Sequence, residues 1–353
     1  MKILMVTFSD NADHQNTLLS MFEQLVRGHD IWAMVINAPK IDYEANPKLI
    51  LADCPPRPGI CKQTFHVKSL LQIIRFVRSK RFDAIYFESL HSWNLPVMLA
   101  APKSTKTYQV IHDCVPHAGD PQEKSVNLMN AAVAKLASKI VVRSDQYQSV
   151  FCSRYHIDES KVKVLELWRR WPDYNAEQSH GRMLFFGRIN AYKGIDNLIQ
   201  IVKACPEIQF DVVGRADDSM KDRILILKQF PNVHLVTGYV MDSEMNRFFT
   251  AAECVVLPYR TATQSGVIVD AYKLSRPVIA IDVGAISSQV ENGCSGFLIP
   301  DGDNDAFIKK VKEVHAFSEE QKTTLSRQAY EFGKAKYSAA LARSRFLELF
   351  AEP

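Results

Sequence analysis

The chain has 353 residues, 47 % of them apolar and 23 % charged, proportions that exclude a disordered or fibrous protein. At roughly 100–200 residues per domain, that length implies two domains. The net charge of +4 is mild and sits in the first half, where residues 1–175 hold 22 Lys/Arg against 17 Asp/Glu, so nucleic acid is not expected as a partner.

Short β-branched apolar runs alternate with helical patterns along the chain. Strands are predicted at 2–8, 30–36, 84–88, 107–112, 139–143 and 162–167, and helices at 15–27, 67–79, 93–100, 122–138 and 145–155. Residues 168–181 break the pattern and read as a linker. The alternation then restarts with strands at 183–187, 208–214, 233–238, 254–258, 277–282 and 296–299. Helices are predicted at 193–204, 218–229, 242–251 and 265–274, and three more close the chain at 304–316, 318–335 and 338–350. Strands this apolar, each followed by a helix, imply parallel sheets covered on both faces. The fold class is therefore α/β, with two Rossmann-like doubly wound domains facing a cleft. Ligands of such sheets bind beyond the carboxyl ends of the strands, so the residues just after each strand are the candidates.

In the second half, the strand Met183-Leu184-Phe185-Phe186 runs into Gly187-Arg188-Ile189-Asn190-Ala191-Tyr192-Lys193-Gly194 and then a helix. A glycine permits close backbone approach to a ligand. Arg188 and Lys193, either side of a helix start, could grip a diphosphate, or could be one snorkelling and one surface cation. The strand ending Leu257-Pro258-Tyr259 leads into Thr263-Gln264-Ser265-Gly266-Val267, a small polar turn before a helix. Its free backbone N–H groups and the helix dipole would favour an anion, although N-capping alone would account for Thr263 or Ser265. Asp270, one turn further on, could accept both hydroxyls of a ribose.

Gly187-Arg188 with Lys193-Gly194, Pro258-Tyr259, Thr263-Gln264-Ser265-Gly266 with Asp270-Ala271, Arg276-Pro277-Val278-Ile279-Ala280, and Gly293 with Gly296-Phe297-Leu298-Ile299 together resemble glycosyltransferase family 4. That family comprises retaining, nucleotide-sugar-dependent enzymes of the GT-B fold. The likeness is dense over about 183–316 and looser over 1–167. It implies that Arg188 and Lys193 hold the donor diphosphate and that Asp270 holds the ribose. Backbone around Gln264, Ser265, Gly266 and Val267 would meet the phosphate and the transferred sugar, and Gly238-Tyr239-Val240 the base. The family's first motif glutamate falls on Ala262, and the chain is similar to a branch with a Thr-Gln-Ser-Gly turn, with Gln264 the candidate replacement. Another frequent glutamate falls on Ser288.

In the first half, the strand Thr107-Tyr108-Gln109-Val110-Ile111 delivers His112-Asp113-Cys114-Val115-Pro116-His117. The resemblance places His112 beside the transferred sugar; Asp113 could fix its tautomer or cap the turn, and His117 could contact acceptor or phosphate. A metal held by His112, Asp113 and His117 has no further support in the sequence, and Asp301-Gly302-Asp303 reads as a turn and helix cap. Asn11 and His14 follow the first strand, and Phe87-Glu88-Ser89-Leu90-His91 ends another, making Asn11, His14 and His91 acceptor candidates beside the alternative of ordinary loop residues. The basic-ended helix of residues 68–81 suits either packing on a parallel sheet or docking on an anionic membrane.

No apolar run approaches the roughly 20 residues of a membrane span, the N-terminus turns polar too soon for a secretory signal, and seven cysteines lie scattered without a Cys-x-x-Cys pair. A cytoplasmic protein with reduced thiols is expected, with peripheral contact at the inner membrane an extension of the helix reading. The domains expected are 1–170 for the acceptor, with the closing helix of about 338–353 packing back on it as in GT-B enzymes, and 180–337 for the donor. The function expected is transfer, with retention, of a sugar from a UDP- or GDP-linked donor to a hydroxyl of a saccharide acceptor, lipid-linked, in bacterial surface polysaccharide synthesis. No metal and no cofactor beyond the nucleotide sugar is expected. The rival readings are a nucleotide-sugar epimerase or phosphorylase on a similar fold, and a catalytically silent nucleotide-sugar-binding module.

Overall fold

Branched and aromatic side chains fill the strands of both halves; the central runs 84–87, 252–257 and 278–281 are buried along their whole length, as strands covered on two faces require, while the edge runs 49–52, 162–164 and 233–237 are mostly half-buried or exposed. The computed structural model describes residues 1–37, 39–55, 62–115, 123–174, 179–238, 240 and 242–351. The chain divides into two units, Met1–Arg170 with Ser338–Pro353, and Trp171–Tyr337.

Among the described residues, the first unit holds seven parallel strands: β1 (Lys2–Thr7), β2 (Asp30–Ile36), β3 (Leu49–Ala52), β4 (Ala84–Phe87), β5 (Lys106–Ile111), β6 (Lys139–Val142) and β7 (Val162–Val164). Their order is β3-β2-β1-β4-β5-β6-β7, so the chain reverses its direction of travel between β1 and β4. Between the strands run α1 (Ala12–Leu25), α2 (Val67–Lys80), α3 (Asn94–Ala100), α4 (Glu123–Leu136) and α5 (Gln148–Tyr155). Because side chains alternate across a strand, Leu4 and Val6 join Ile73, Val97 and Val133 in one core, while Ile3 and Met5 join Leu18 and Phe22 in the other.

Among the described residues, the second unit holds six parallel strands: β8 (Arg182–Phe186), β9 (Gln209–Gly214), β10 (Val233–Thr237), β11 (Ala252–Leu257), β12 (Val278–Ile281) and β13 (Gly296–Ile299). The order β10-β9-β8-β11-β12-β13 puts the reversal between β8 and β11. Its helices are α6 (Ile195–Ala204), α7 (Lys221–Leu227), α8 (Asp242–Ala251), α9 (Gly266–Lys273), α10 (Ile286–Gln289), α11 (Asn304–His315) and α12 (Glu319–Tyr337). The Asp303 carboxylate accepts the Ala306 N–H at 2.8 Å and caps α11.

After α12 the chain returns to the first unit as α13 (Ala339–Ala351), whose Ala342, Phe346, Leu349 and Phe350 enter the Ile3/Met5 core. The Phe346 ring lies 5.1 Å from Tyr86 and 5.6 Å from Trp168.

The expected linker at 168–181 is corrected at its start. Trp168 is wholly buried, its indole N–H donating to Thr17 O at 2.8 Å, and Arg169 is buried with its guanidinium on Asp13 and Thr17. Polar composition concealed two anchoring side chains, because an arginine beside a tryptophan looks the same on paper whether solvated or clamped.

Candidate functional site

In a doubly wound sheet the ligand position is the reversal point, where loops diverge and leave a crevice at the strand ends. In the second unit that point lies between β8 and β11, and the two loops leaving them carry the predicted donor residues. Gly187 follows β8 with φ of 114°, and its carbonyl oxygen would sit 1.8 Å from a Cβ built on Gly214. Asn190 caps the next turn, accepting the Lys193 N–H at 3.2 Å. Gly194, at φ of 73°, lets the backbone press against Pro258 O, where a Cβ would come within 1.7 Å. Arg260 N–H donates to Tyr192 O at 2.9 Å, so the two loops are joined backbone to backbone.

Arg188 is exposed and Lys193 half-buried, and both lie against Tyr192: the Arg188 guanidinium is 5.9 Å and the Lys193 ammonium 5.8 Å from its ring centre. Lys193 also stands 4.0 Å from the ring centre of Tyr259. These aromatic faces hold the two cations at neighbouring places without neutralising either.

The turn before α9 is built differently from the expectation of free N–H groups. The Ser265 N–H donates to Gln289 Oε1 at 2.7 Å, and Gln289 Nε2 donates back to Ser265 O at 3.1 Å. Ser265 stands at the N-cap of α9, but its hydroxyl makes no cap hydrogen bond. Capping therefore does not account for that side chain, and the amide groups left to an anion are those of Gly266, Val267 and the next residue. Thr263 is buried, Gln264 and Val267 are half-buried, and Val267 lies against Gly187. Asp270 is half-buried, its carboxylate 3.6 Å from Lys273 Nζ. Gly238 follows β10 at φ of 150° with its N–H on Gly214 O, and Val240 is half-buried; Tyr239 lies outside the described residues.

In the first unit, three neighbouring strands end on three charged or titratable residues: Glu88 after β4, His112 after β5 and Arg143 after β6. His112 Nε2 lies 2.8 Å from Glu88 O and 3.3 Å from Glu88 Oε1. A carbonyl oxygen can only accept, so Nε2 carries the proton. Arg143 closes on the Glu88 carboxylate and donates to Leu165 O at 3.2 Å. Burial raises the Glu88 carboxyl, but Arg143 and His112 together outweigh it and hold it below the ordinary value. His14, on the first turn of α1, stacks on His112 with ring centres 4.5 Å apart. Burial first, and then His112, pushes its pKa down to about 3.

The other first-unit candidates fall elsewhere. Asn11 is the N-cap of α1, accepting the Asp13 N–H at 2.9 Å. His91 is fully buried; Trp93 N–H donates to its Nδ1 at 3.0 Å, and its Nε2 reaches Pro55 O at 3.2 Å, so its ring clamps the backbone. Asp113 is exposed and its carbonyl accepts from Asn130, while the His112 ring is bonded to Glu88. His117 lies outside the described residues.

Sequence reasoning missed Arg143 and Gln289. Arg143 had a signal, since it follows a strand, whereas Gln289 reaches back 24 residues and leaves no local trace. Among the described residues no group of three or more His, Cys, Asp or Glu is placed to hold a metal. A depression of about 730 Å³ at the opposite edge of the second sheet is lined by Arg182, Asp211, His234, Arg247 and Phe248, where the strands begin.

Residues 180–316 match the family model Glycosyl transferases group 1. A GDP-mannose:glycolipid 4-beta-D-mannosyltransferase of Xanthomonas campestris pv. campestris is 33 % identical over 104 residues, which is 28 % of this chain and 30 % of that protein. The capsular polysaccharide biosynthesis glycosyltransferase CapM of Staphylococcus aureus is 30 % identical over 37 % of this chain and 35 % of its own length. An uncharacterized 41.2 kDa protein in the cps region of Klebsiella pneumoniae is 22 % identical over 75 % of this chain and 79 % of its length. Among solved structures, Anabaena HepE with UDP and glucose superposes with a TM-score of 0.73 at 14 % identity, covering 100 % of both chains. Sucrose-phosphate synthase of Thermosynechococcus elongatus gives 0.72 at 16 %, covering 99 % of this chain and 98 % of that one. The fold is thus that of GT-B proteins, residues 180–316 form a Glycosyl transferases group 1 domain, and the chain is a glycosyltransferase.

Proposed function

We propose that this transferase moves a sugar from a nucleoside diphosphate donor, UDP- or GDP-linked, to a hydroxyl of a lipid-linked saccharide during bacterial surface polysaccharide synthesis, with retention. The observation that carries the reading is the pair of joined loops at the β8/β11 reversal, where Arg188, Lys193 and the start of α9 converge. In the reaction, the bond from the sugar's anomeric carbon to the diphosphate breaks. The acceptor oxygen bonds to that carbon from the same face, and its proton passes to the departing phosphate oxygen. Arg188, Lys193 and the N–H groups opening α9 offset the charge gained by the leaving diphosphate, with no metal assigned a part. Asp270 takes the ribose, and the backbone at Gly238 and Val240 takes the base. His112 stands by the sugar in this reading. Support for the donor comes from HepE, solved with UDP and with UDP-glucose, and for the acceptor from the mannosyltransferase acting on a glycolipid.

A cytoplasmic site of action with contact at the membrane face belongs to the same proposal. No described helix is long and apolar enough to cross a membrane. The α2 helix, however, buries only Ile73 and Val77 fully, and leaves Val67 at 60 % and Leu71 at 43 % exposed beside exposed Lys68, Arg75 and Arg78, with Phe65 at 70 % just before it. An anionic leaflet suits that face, at about 1 kcal/mol per basic residue near the surface.

The test is transfer of radiolabel from a panel of UDP- and GDP-sugars into bacterial lipid-linked saccharides, run beside the Arg188→Ala/Lys193→Ala protein. One donor should label the glycolipid, with the product's anomeric configuration matching the donor's, and the double variant should not. Label that stays on the nucleotide with every donor and acceptor pair overturns the assignment.

A further inference from the structure

We propose that Glu88 is a positioning residue for His112, fixed in turn by Arg143, so that the imidazole is presented in one tautomer and one orientation. The inference rests on the reading that His112 stands beside the transferred sugar, and it concerns what holds the ring there.

The arrangement follows from sheet order. β4, β5 and β6 are adjacent and parallel, with Phe87 opposite Gln109 and Ile111 opposite Val142. The residues one step beyond the strands therefore emerge at one edge: Glu88, His112 and Arg143. Glu88 offers His112 two acceptors, its carbonyl oxygen at 2.8 Å and its carboxylate at 3.3 Å, both toward Nε2. That double contact commits the ring proton to Nε2 and makes Nδ1 the lone-pair edge of the neutral ring.

Glu88 cannot swing away, because its side chain is fully buried and Arg143 bonds the same oxygen that faces His112. Arg143 is itself held on three sides, by Glu88, by Leu165 O, and by the Trp168 ring with 4.8 Å between guanidinium carbon and ring centre. Tyr86, fully buried, lies against both members of the pair. Across the other face of His112 the stacked ring of His14 is kept neutral, so it fixes the plane of the imidazole without opposing a positive charge on it.

The energetics favour orientation over stabilisation as the role of the pair. Removing a carboxylate and a guanidinium from water costs several kcal/mol per ion, and a hydrophobic pair of similar volume generally serves a core at least as well. What a hydrophobic pair cannot do is accept the His112 proton and fix its direction.

The test compares Glu88→Gln with Glu88→Gln/Arg143→Gln, the second so that no unpaired cation is left buried if the single variant fails to fold. The first readout is the ¹⁵N spectrum of the His112 imidazole, identified by its loss in His112→Asn. Wild type should show an Nε2–H signal shifted by its carboxylate partner, and the double variant, which keeps the backbone acceptor at residue 88 but not the carboxylate, a shifted and broadened Nε2–H signal from a ring held less firmly. The second is release of nucleoside diphosphate from the nucleotide sugar that stabilises the protein. Turnover should fall about 10-fold or more in the variant while donor KM stays within about 2-fold, the pattern of a lost transition-state contact. A folded double variant with an unchanged imidazole spectrum and unchanged turnover overturns the proposal. If wild type turns over no nucleotide sugar, the functional reading falls and the imidazole spectrum alone decides this one.

Discussion

His14 shows how one buried residue ties stability to pH. An unfolded chain would protonate it near 6.5, while in the fold burial and His112 push the pKa down to about 3. A depressed histidine pKa means the unfolded state binds the extra proton first, so the contribution is intact above about 6.5 and is lost as pH falls toward 3. The melting temperature should therefore drop between pH 7 and 4.5, and His14→Gln should drop less; parallel curves for the two proteins would contradict this. Gly194 carries a second prediction at this scale. Its φ is 73° and a Cβ would come within 1.7 Å of Pro258 O, a backbone atom that cannot yield cheaply. Gly194→Ala should cost about 2–4 kcal/mol by chemical denaturation and weaken nucleotide binding, because it parts the loops bearing Lys193 and Tyr259. Lys193-Gly194 was legible as part of the loop that follows the strand 183–187. The Glu88–Arg143 pair was not, since nothing in a local window says that residues 55 apart in sequence will meet.

At the scale of elements, the site depends on how α9 and α10 meet. Gln289 on α10 holds both backbone groups of Ser265, which sets the pitch at which α9 presents its first N–H groups. Gln289→Leu removes two hydrogen bonds and strands a buried amide, at a cost of about 1–3 kcal/mol. Donor affinity should fall by a similar amount in calorimetric titration, and an unchanged titration would show that the turn keeps its shape alone. Most strands and helices could be read from apolar runs and periodicity, because each spans enough residues to show a period. The exceptions were β3, four residues in an edge position, and α10, four residues in a connection. A single helical turn such as α10 is too short to show a period, whereas β3 is no shorter than β4 or β6 and differs from them in lying at the sheet edge with only Ala52 buried. The α2 helix was ambiguous for another reason: its apolar side chains are divided between the sheet, which takes Ile73 and Val77, and solvent, which takes Val67 and Leu71.

At the scale of the whole molecule, the α/β class followed from the alternation of strands and helices, and both sheets are parallel with one reversal each. The return of the chain to its first unit is set by α13, whose Phe346 and Phe350 fill the core beneath Tyr86 and Tyr108. Phe346→Ala should cost the first unit about 3–5 kcal/mol. Hydrogen exchange would then accelerate in β1, β4 and β5 while β8 and β11 keep their protection; equal acceleration in both sheets would mean that the two units unfold as one. The donor site belongs to the second unit alone, and a thermal-shift screen reads its occupancy. UDP, GDP, ADP and CMP, with their common sugars, are offered to wild type and to Arg188→Ala/Lys193→Ala. The expected result is that one nucleoside diphosphate series raises the melting temperature, by the equivalent of about 2.7 kcal/mol at 100 times its Kd, and that the variant loses the gain. No stabilisation by any of these nucleotides would contradict the donor site at β8 and β11.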